Sequence, residues 1–187
     1  AALTSTQAKE LNSAQVVSLG DTKIDELSTA AVKALTTAVI SNLTTDQVAA
    51  LTSDQVTALT TAQVAALTTA QVQAVTTDNL AALQTHQIAA LTSNQLANMA
   101  SDDLQALSTS QVSQLSTTQL VAMTTDQVAV LSTAKVENLS TGQVSALTTN
   151  QVAAINTDAV AKLSSAQLIV LSTSQAAALT DGQISAL

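Results

Sequence analysis

The chain has 187 residues and a formal net charge of −8, with five Lys and Arg against thirteen Asp and Glu and no Cys, Pro, Phe, Trp or Tyr. Lacking clustered cations to neutralise phosphates and aromatic rings on which bases stack, it is not expected to bind nucleic acid, and without Cys neither disulfides nor cysteine metal sites can form. Hydrophobic residues still make up 47% of the chain, so any core is built from Leu, Val, Ile and Ala alone and must be thin and regular.

A repeat is in force from the first residues. Counting Leu3 as position 1, the unit Leu-Thr-Thr-x-Gln-Val-x-Ala runs to Ala186 as twenty-three octads without an insertion or deletion, and Leu187 opens another. Such a period overrides what length alone suggests about domain number, and the whole of 1–187 reads as a single octapeptide-repeat solenoid. The start, Ala1-Ala2-Leu3, is already in phase and carries no basic n-region, so no signal peptide is expected in it. A Thr/Ser pair interrupts every octad, which keeps apolar runs far below the roughly 20 residues of a membrane span, and no membrane insertion is expected.

Position 1 is Leu except at Val75, Met99, Met123 and Ile155, and position 6 is always Val, Ile, Leu or Ala. These two columns are the expected core. Position 3 is Ser or Thr except at Asp21 and Asp181, a set that matches strong helix N-caps. Position 5 is usually Gln and position 8 usually Ala, while positions 4 and 7 vary freely and are expected to be exposed.

An unbroken α-helix fails, because eight residues at about 100° each overshoot two turns by about 80° and the apolar stripe would wind around the axis. An unbroken strand fails as well, since gaps of five and three residues put positions 1 and 6 on opposite faces. The pattern predicts one short helix per octad, capped at position 3 and running from position 4 to position 1 of the next unit. Ala at position 8 supplies helix propensity, and Asp at position 4 (Asp46, Asp54, Asp78, Asp126) suits the helix dipole. In a second register the cap sits at position 2 and Gln at position 5 closes a capping box, as in Thr44-Thr45-Asp46-Gln47. The stricter column at position 3 favours the first register. The fold class is therefore all-α, a solenoid of short capped helices. A β-solenoid is the alternative, against which only three Gly are available for tight corners.

A single octad buries two sizeable side chains, worth roughly 1.5–3 kcal/mol each, whereas ordering its backbone costs about 1–2 kcal/mol per residue. Stability must come from stacking on neighbours. Asp54, Asp78, Asp102 and Asp126 recur at a spacing of 24, as do Val75, Met99 and Met123. This points to three octads per coil, or to duplication of a three-octad segment. Residues 1–34 are the more charged, with Lys9, Glu10, Asp21, Lys23, Asp25, Glu26 and Lys33, as expected of N-terminal capping repeats. The far end, Ala176-Ala177-Ala178 and then Ile184-Ser185-Ala186-Leu187, stays apolar in phase and reads as a self-associating face.

No catalytic residue and no cofactor site stands out. His86 is the single histidine, at variable position 4, and one His without partners cannot make a zinc site. Asp54, Asp78, Asp102, Asp103 and Asp126 form a weak Ca²⁺ candidate should coils gather their carboxylates, with isolated helix-start residues as the plainer reading. The Thr/Ser ladder can present a hydroxyl face of the ice-binding kind, although capping already accounts for position 3.

The unit Leu59-Thr60-Thr61-Ala62-Gln63-Val64-Ala65-Ala66 resembles the octapeptide arrays of large secreted or surface proteins of bacteria, and the likeness covers the whole chain. It is also similar to the opening of the first helix in TAL-effector repeats, but the Pro, the 34-residue period and the base-reading loop are missing here, so that likeness supports only a helix start. The first resemblance implies an extracellular or cell-surface location and a stalk, spacer, adhesin or filament role, without enzymatic activity. A protein-binding scaffold, with a protein or surface partner, is the alternative. Such a scaffold would be expected to show Tyr, Trp or Arg hot spots, and none of these residue types occurs.

Overall fold

The computed structural model describes residues 3–187. Ala1 and Ala2, on which the reading of the chain start drew, lie outside the described residues. Each octad folds as one helix of four to six residues, from α1 (Ser5–Lys9) to α23 (Asp181–Ala186). Among the described residues there is no strand, so the β-solenoid alternative is not realised.

The helices start one residue earlier than the favoured register predicts. The cap is position 2, not position 3: Thr44, Thr52, Thr60 and Thr68 have extended backbone, near φ −72° and ψ 159°, and their hydroxyls accept the backbone N–H three residues on. Position 3 is the first helical residue. The reason lies at position 5, where the Gln side chain reaches back to the N–H of the cap, as when Thr68 N–H donates to Gln71 Oε1 at 2.7 Å. That reciprocal box forms only when cap and Gln are three apart.

Where a helix runs through position 8, the corner is two extended residues; where it stops earlier, three or four residues lead to the next helix. Leu35 and Leu59 at position 1 leave the helix with φ near −58° and ψ near 140°, and the next residue is already the following cap. Gly20 replaces the cap in α3 (Asp21–Ile24) and takes φ 73°, ψ 178°, a region open essentially to Gly alone.

By their packing the described residues form two compact units, one ending at Met99 and the other running from Ala100 to Leu187. In the first, α1 packs on α4 (Thr29–Ala34), α4 on α7 (Ser53–Ala58) and α7 on α10 (Thr77–Ala82). In the second, α13 (Ser101–Ala106) packs on α16 (Thr125–Ala129) and α16 on α19 (Thr149–Ala154). Within each unit a helix thus meets the helix three octads on, and three octads make one coil. The 24-residue spacing in the sequence has this structural counterpart.

Both core columns point inward. Val48, Val56 and Val64 at position 6 and Leu51, Leu59 and Leu67 at position 1 are at most 8% exposed. The axis of the first unit is filled, leaving a void of about 10 Å³ lined by Val and Leu side chains such as Val56, Leu59 and Leu83. A space of that size and lining holds no ordered water. As expected, positions 4 and 7 are largely exposed, Asp46 and Ala49 among them.

Two outcomes follow for stability, read as denaturant midpoints. Thr68→Ala removes a side-chain cap and should cost about 1 kcal/mol, whereas Thr69→Ala should cost at most a few tenths. Gly20→Ala meets no atom within 4 Å, yet should cost about 1–3 kcal/mol through backbone strain alone.

Candidate functional site

A helix of six residues is nearly all terminus, since the first four N–H and last four C=O groups of any helix lack intrahelical partners. The residue that resolves this is the Gln at position 5. Gln47, Gln55, Gln63, Gln71, Gln87 and Gln95 are at most 2% exposed, and each divides its amide between two jobs. The oxygen closes the capping box of its own helix. The nitrogen donates to carbonyls at a corner one coil away, four helices back along the chain.

Gln71 of α9 (Thr69–Ala74) shows the geometry. Its Nε2 donates to Ile40 O at 2.9 Å and Leu43 O at 2.7 Å, the end of α5 (Thr37–Ile40) and the corner that follows it. Gln63 does the same to Val32 O and Leu35 O, at 2.9 and 2.8 Å, and Gln183 to Val152 O and Ile155 O, at 3.0 and 2.7 Å. The sequence separations are 31 and 28 each time. The polar bonds between coils therefore run along the corners, outside the apolar axis.

In three octads where position 5 changes, other groups reach the corner. Asn79 is shorter and reaches only Leu51 O, at 2.8 Å, while Ser53 Oγ donates to its Oδ1 at 2.7 Å. The Ala159 side chain has no polar atom, and the cap Asn156 both accepts from Ala159 N–H at 2.8 Å and donates to Leu131 O at 2.8 Å. Lys135 of α17 (Thr133–Glu137) places its ammonium on the end of α13, donating to Leu104 O at 3.2 Å and Gln105 O at 2.5 Å. Burial lowers its pKa from the ordinary Lys value, because desolvation penalises the charged form.

Asp54 and Asp78, on the adjacent stacked helices α7 and α10, are both exposed, as are Asp102 and Asp126 on α13 and α16. Asp103 stands apart from that set, buried at position 5 with 6% exposure. Among the described residues no group of three or more His, Cys, Asp or Glu is gathered closely enough to hold a metal ion. His86 is exposed at the start of α11 (Thr85–Ile88) and lines an open groove of about 680 Å³ in the first unit with Lys33, Thr57, Thr60 and Gln84. The ladder of cap hydroxyls is engaged by backbone N–H groups, which leaves position 3 as the hydroxyl column facing outward. Even there Ser53 is turned to the next coil.

The role of Gln between coils was not read from the sequence, which assigned it only the local box of the second register. The signal was present: a polar column repeats nearly as strictly as the core columns, while its neighbour at position 4 varies freely. A polar residue fixed in that way in a repeat is one that is buried and bonded.

These features define an all-helical tandem-repeat solenoid whose coils are joined by side-chain amides. The ALTTAQ repeat model matches residues 24–61, 64–101, 96–133, 129–157 and 152–187, and the chain belongs to this repeat family. No curated protein matches it.

Gln63→Ala should cost about 2–4 kcal/mol, well above the cost of Thr60→Ala, since it strands the Thr60 N–H and the Leu35 carbonyl together and leaves Val32 O with its backbone donor alone; urea unfolding of the two variants provides the comparison. Lys135→Gln should stabilise the chain at neutral pH. Because the folded pKa lies below the unfolded value, the cost of Lys135 is fully present below the folded pKa and fades as pH rises toward 10.5. The advantage of the Gln variant should therefore shrink between neutral pH and about 10.5. A constant difference across that window would count against the burial reading.

Proposed function

We propose that the chain is a non-enzymatic structural element, a stalk, spacer or self-assembling filament segment working outside the cell or on its surface. The observation that carries this is uniformity. Helices are joined by short connections of two to four residues, the axis of the first unit is filled with Val and Leu, and one amide-to-carbonyl bond pattern recurs from coil to coil. Such a stack gains stability by adding identical coils, which suits a spacer whose length is set by repeat number. The resemblance to octapeptide arrays of bacterial surface and secreted proteins supports the location.

The self-assembling form of the proposal runs through coil-on-coil stacking of the apolar columns, to which Ile184 and Leu187 belong. A second reading, a protein-binding scaffold, is favoured by the groove beside Lys33 and His86. Sedimentation velocity across a concentration series separates the two. Species that grow with concentration, and that Ile184→Lys with Leu187→Lys abolishes at unchanged helical circular dichroism, are the expected result. A chain that stays monomeric throughout removes the self-assembling form of the proposal.

A further inference from the structure

In a repeat whose fixed columns hold the stack, residues that break the pattern are not there for stacking. Three of them line one groove of the first unit. His86 is the single His of the chain, Gln84 is the only Gln in the cap column, and Lys33 is one of five Lys. They come from different coils, yet they border the same open space of about 680 Å³. Lys33 belongs to α4, which packs on α7, and α8 (Thr61–Ala66), which follows α7, packs on the α11 that carries His86. The groove therefore crosses three coils, with Lys33 on the first of them and Gln84 and His86 on the third.

Its floor is the corner between α7 and α8. Thr57, Ala58 and Thr60 are half-buried there, whereas Lys33, Gln84 and His86 stand exposed at the rim. The floor is held in place, since Thr57 Oγ1 donates to Asp54 O at 3.0 Å and Thr60 Oγ1 accepts from Gln63 N–H at 3.2 Å. The Lys33 ammonium and the His86 imidazole have no hydrogen-bond or ion-pair partner among the described residues. No carboxylate lines the groove, although the chain has thirteen Asp and Glu and a net charge of −8.

We propose that this groove takes an extended acidic peptide segment of another protein. This rests on the scaffold reading given above and names its partner class. Two stacking steps of about 8–10 Å separate the coils of Lys33 and His86, and an extended chain rising about 3.3 Å per residue covers them with about five or six residues. A carboxylate toward each end then meets one cation, and the Gln84 amide offers a donor and an acceptor to the backbone between. A small anion reaches one cation only. Nucleic acid would need more cations than these two and aromatic rings for its bases, and a polysaccharide finds no aromatic face on which a sugar ring could rest. The chain itself has no run of more than two acidic residues, so the segment is supplied by a different protein.

The test uses the full chain. With no Phe, Trp or Tyr, the aromatic proton signals in D₂O come from His86 alone. Hexaglutamate added at about pH 6, where imidazoles carry charge, should shift them saturably, and hexaglutamine should not. Acetate at the same carboxylate concentration should bind at least about fivefold more weakly, having one ion pair in place of two. Lys33→Gln should weaken hexaglutamate about two- to fivefold, the worth of one exposed ion pair, at unchanged helical circular dichroism, and Lys33→Arg should keep the original affinity. In 0.15 M salt the Debye length is about 8 Å, so a loss felt at His86 from a change two coils away requires one ligand that spans the groove. Equal binding of hexaglutamine overturns the acidic partner and leaves the scaffold reading standing. Acetate as good as the peptide, or an unchanged affinity in Lys33→Gln, overturns the spanning segment. If no peptide moves the His86 signals, the scaffold reading of this groove fails together with its acidic partner, and the stalk reading is untouched.

Discussion

The constraint on which this structure depends is the bonding of helix ends. Regular helices bury few orphan groups because most of their length is interior, but helices of four to six residues have almost no interior. Twenty-three such helices would place unpaired N–H and C=O groups at every corner. The octad meets this with two side chains, a hydroxyl at position 2 and an amide at position 5. Gln suits the second place because its two polar atoms have opposite character: the oxygen serves the N-terminus of its own helix, and the nitrogen serves corner carbonyls a coil away. Among the described residues no buried side-chain nitrogen or oxygen lacks a partner, so the side chains that serve the helix ends are themselves satisfied.

The exceptions follow the same logic. Asn156 replaces the missing amide of Ala159 from the cap position, doing with one side chain what Thr and Gln do elsewhere. Lys135 has donors but no acceptor, so it can satisfy the corner of α13 and cannot close a box, and Ser132 before it makes no side-chain cap. It also brings a charge into a site built for a neutral amide, which is why burial depresses its pKa. Gly20 lies in the first coil, where the helix start is made by a left-handed residue and no side chain caps it.

The same polarity links fold and proposed function. An apolar axis alone would let coils meet in either direction, because hydrophobic burial is not directional. Corner amides impose direction, since donors and acceptors sit on opposite faces of each coil. A stack made of such coils has a fixed sense along its length.

Much of this was determined by the sequence itself. Helix over strand, one helix per octad and the two core columns follow from spacing and composition, because residues three apart share a helix face while Ala and the paired hydroxyls favour helix and cap. The cap register did not follow from column strictness: position 3, where Thr45 and Thr69 stand, is the stricter column, yet the cap is position 2, where Thr44 and Thr68 stand, because only from there do Gln47 and Gln71 lie three residues on and close the box. Three helices per coil was only hinted at by the spacing of Asp54, Asp78, Asp102 and Asp126, since duplication yields the same period. Only the tertiary structure decided that Gln71 reaches Ile40 and Leu43, because a bond across 31 residues depends on how far one coil rises above the last, and the packing of helix on helix sets that rise.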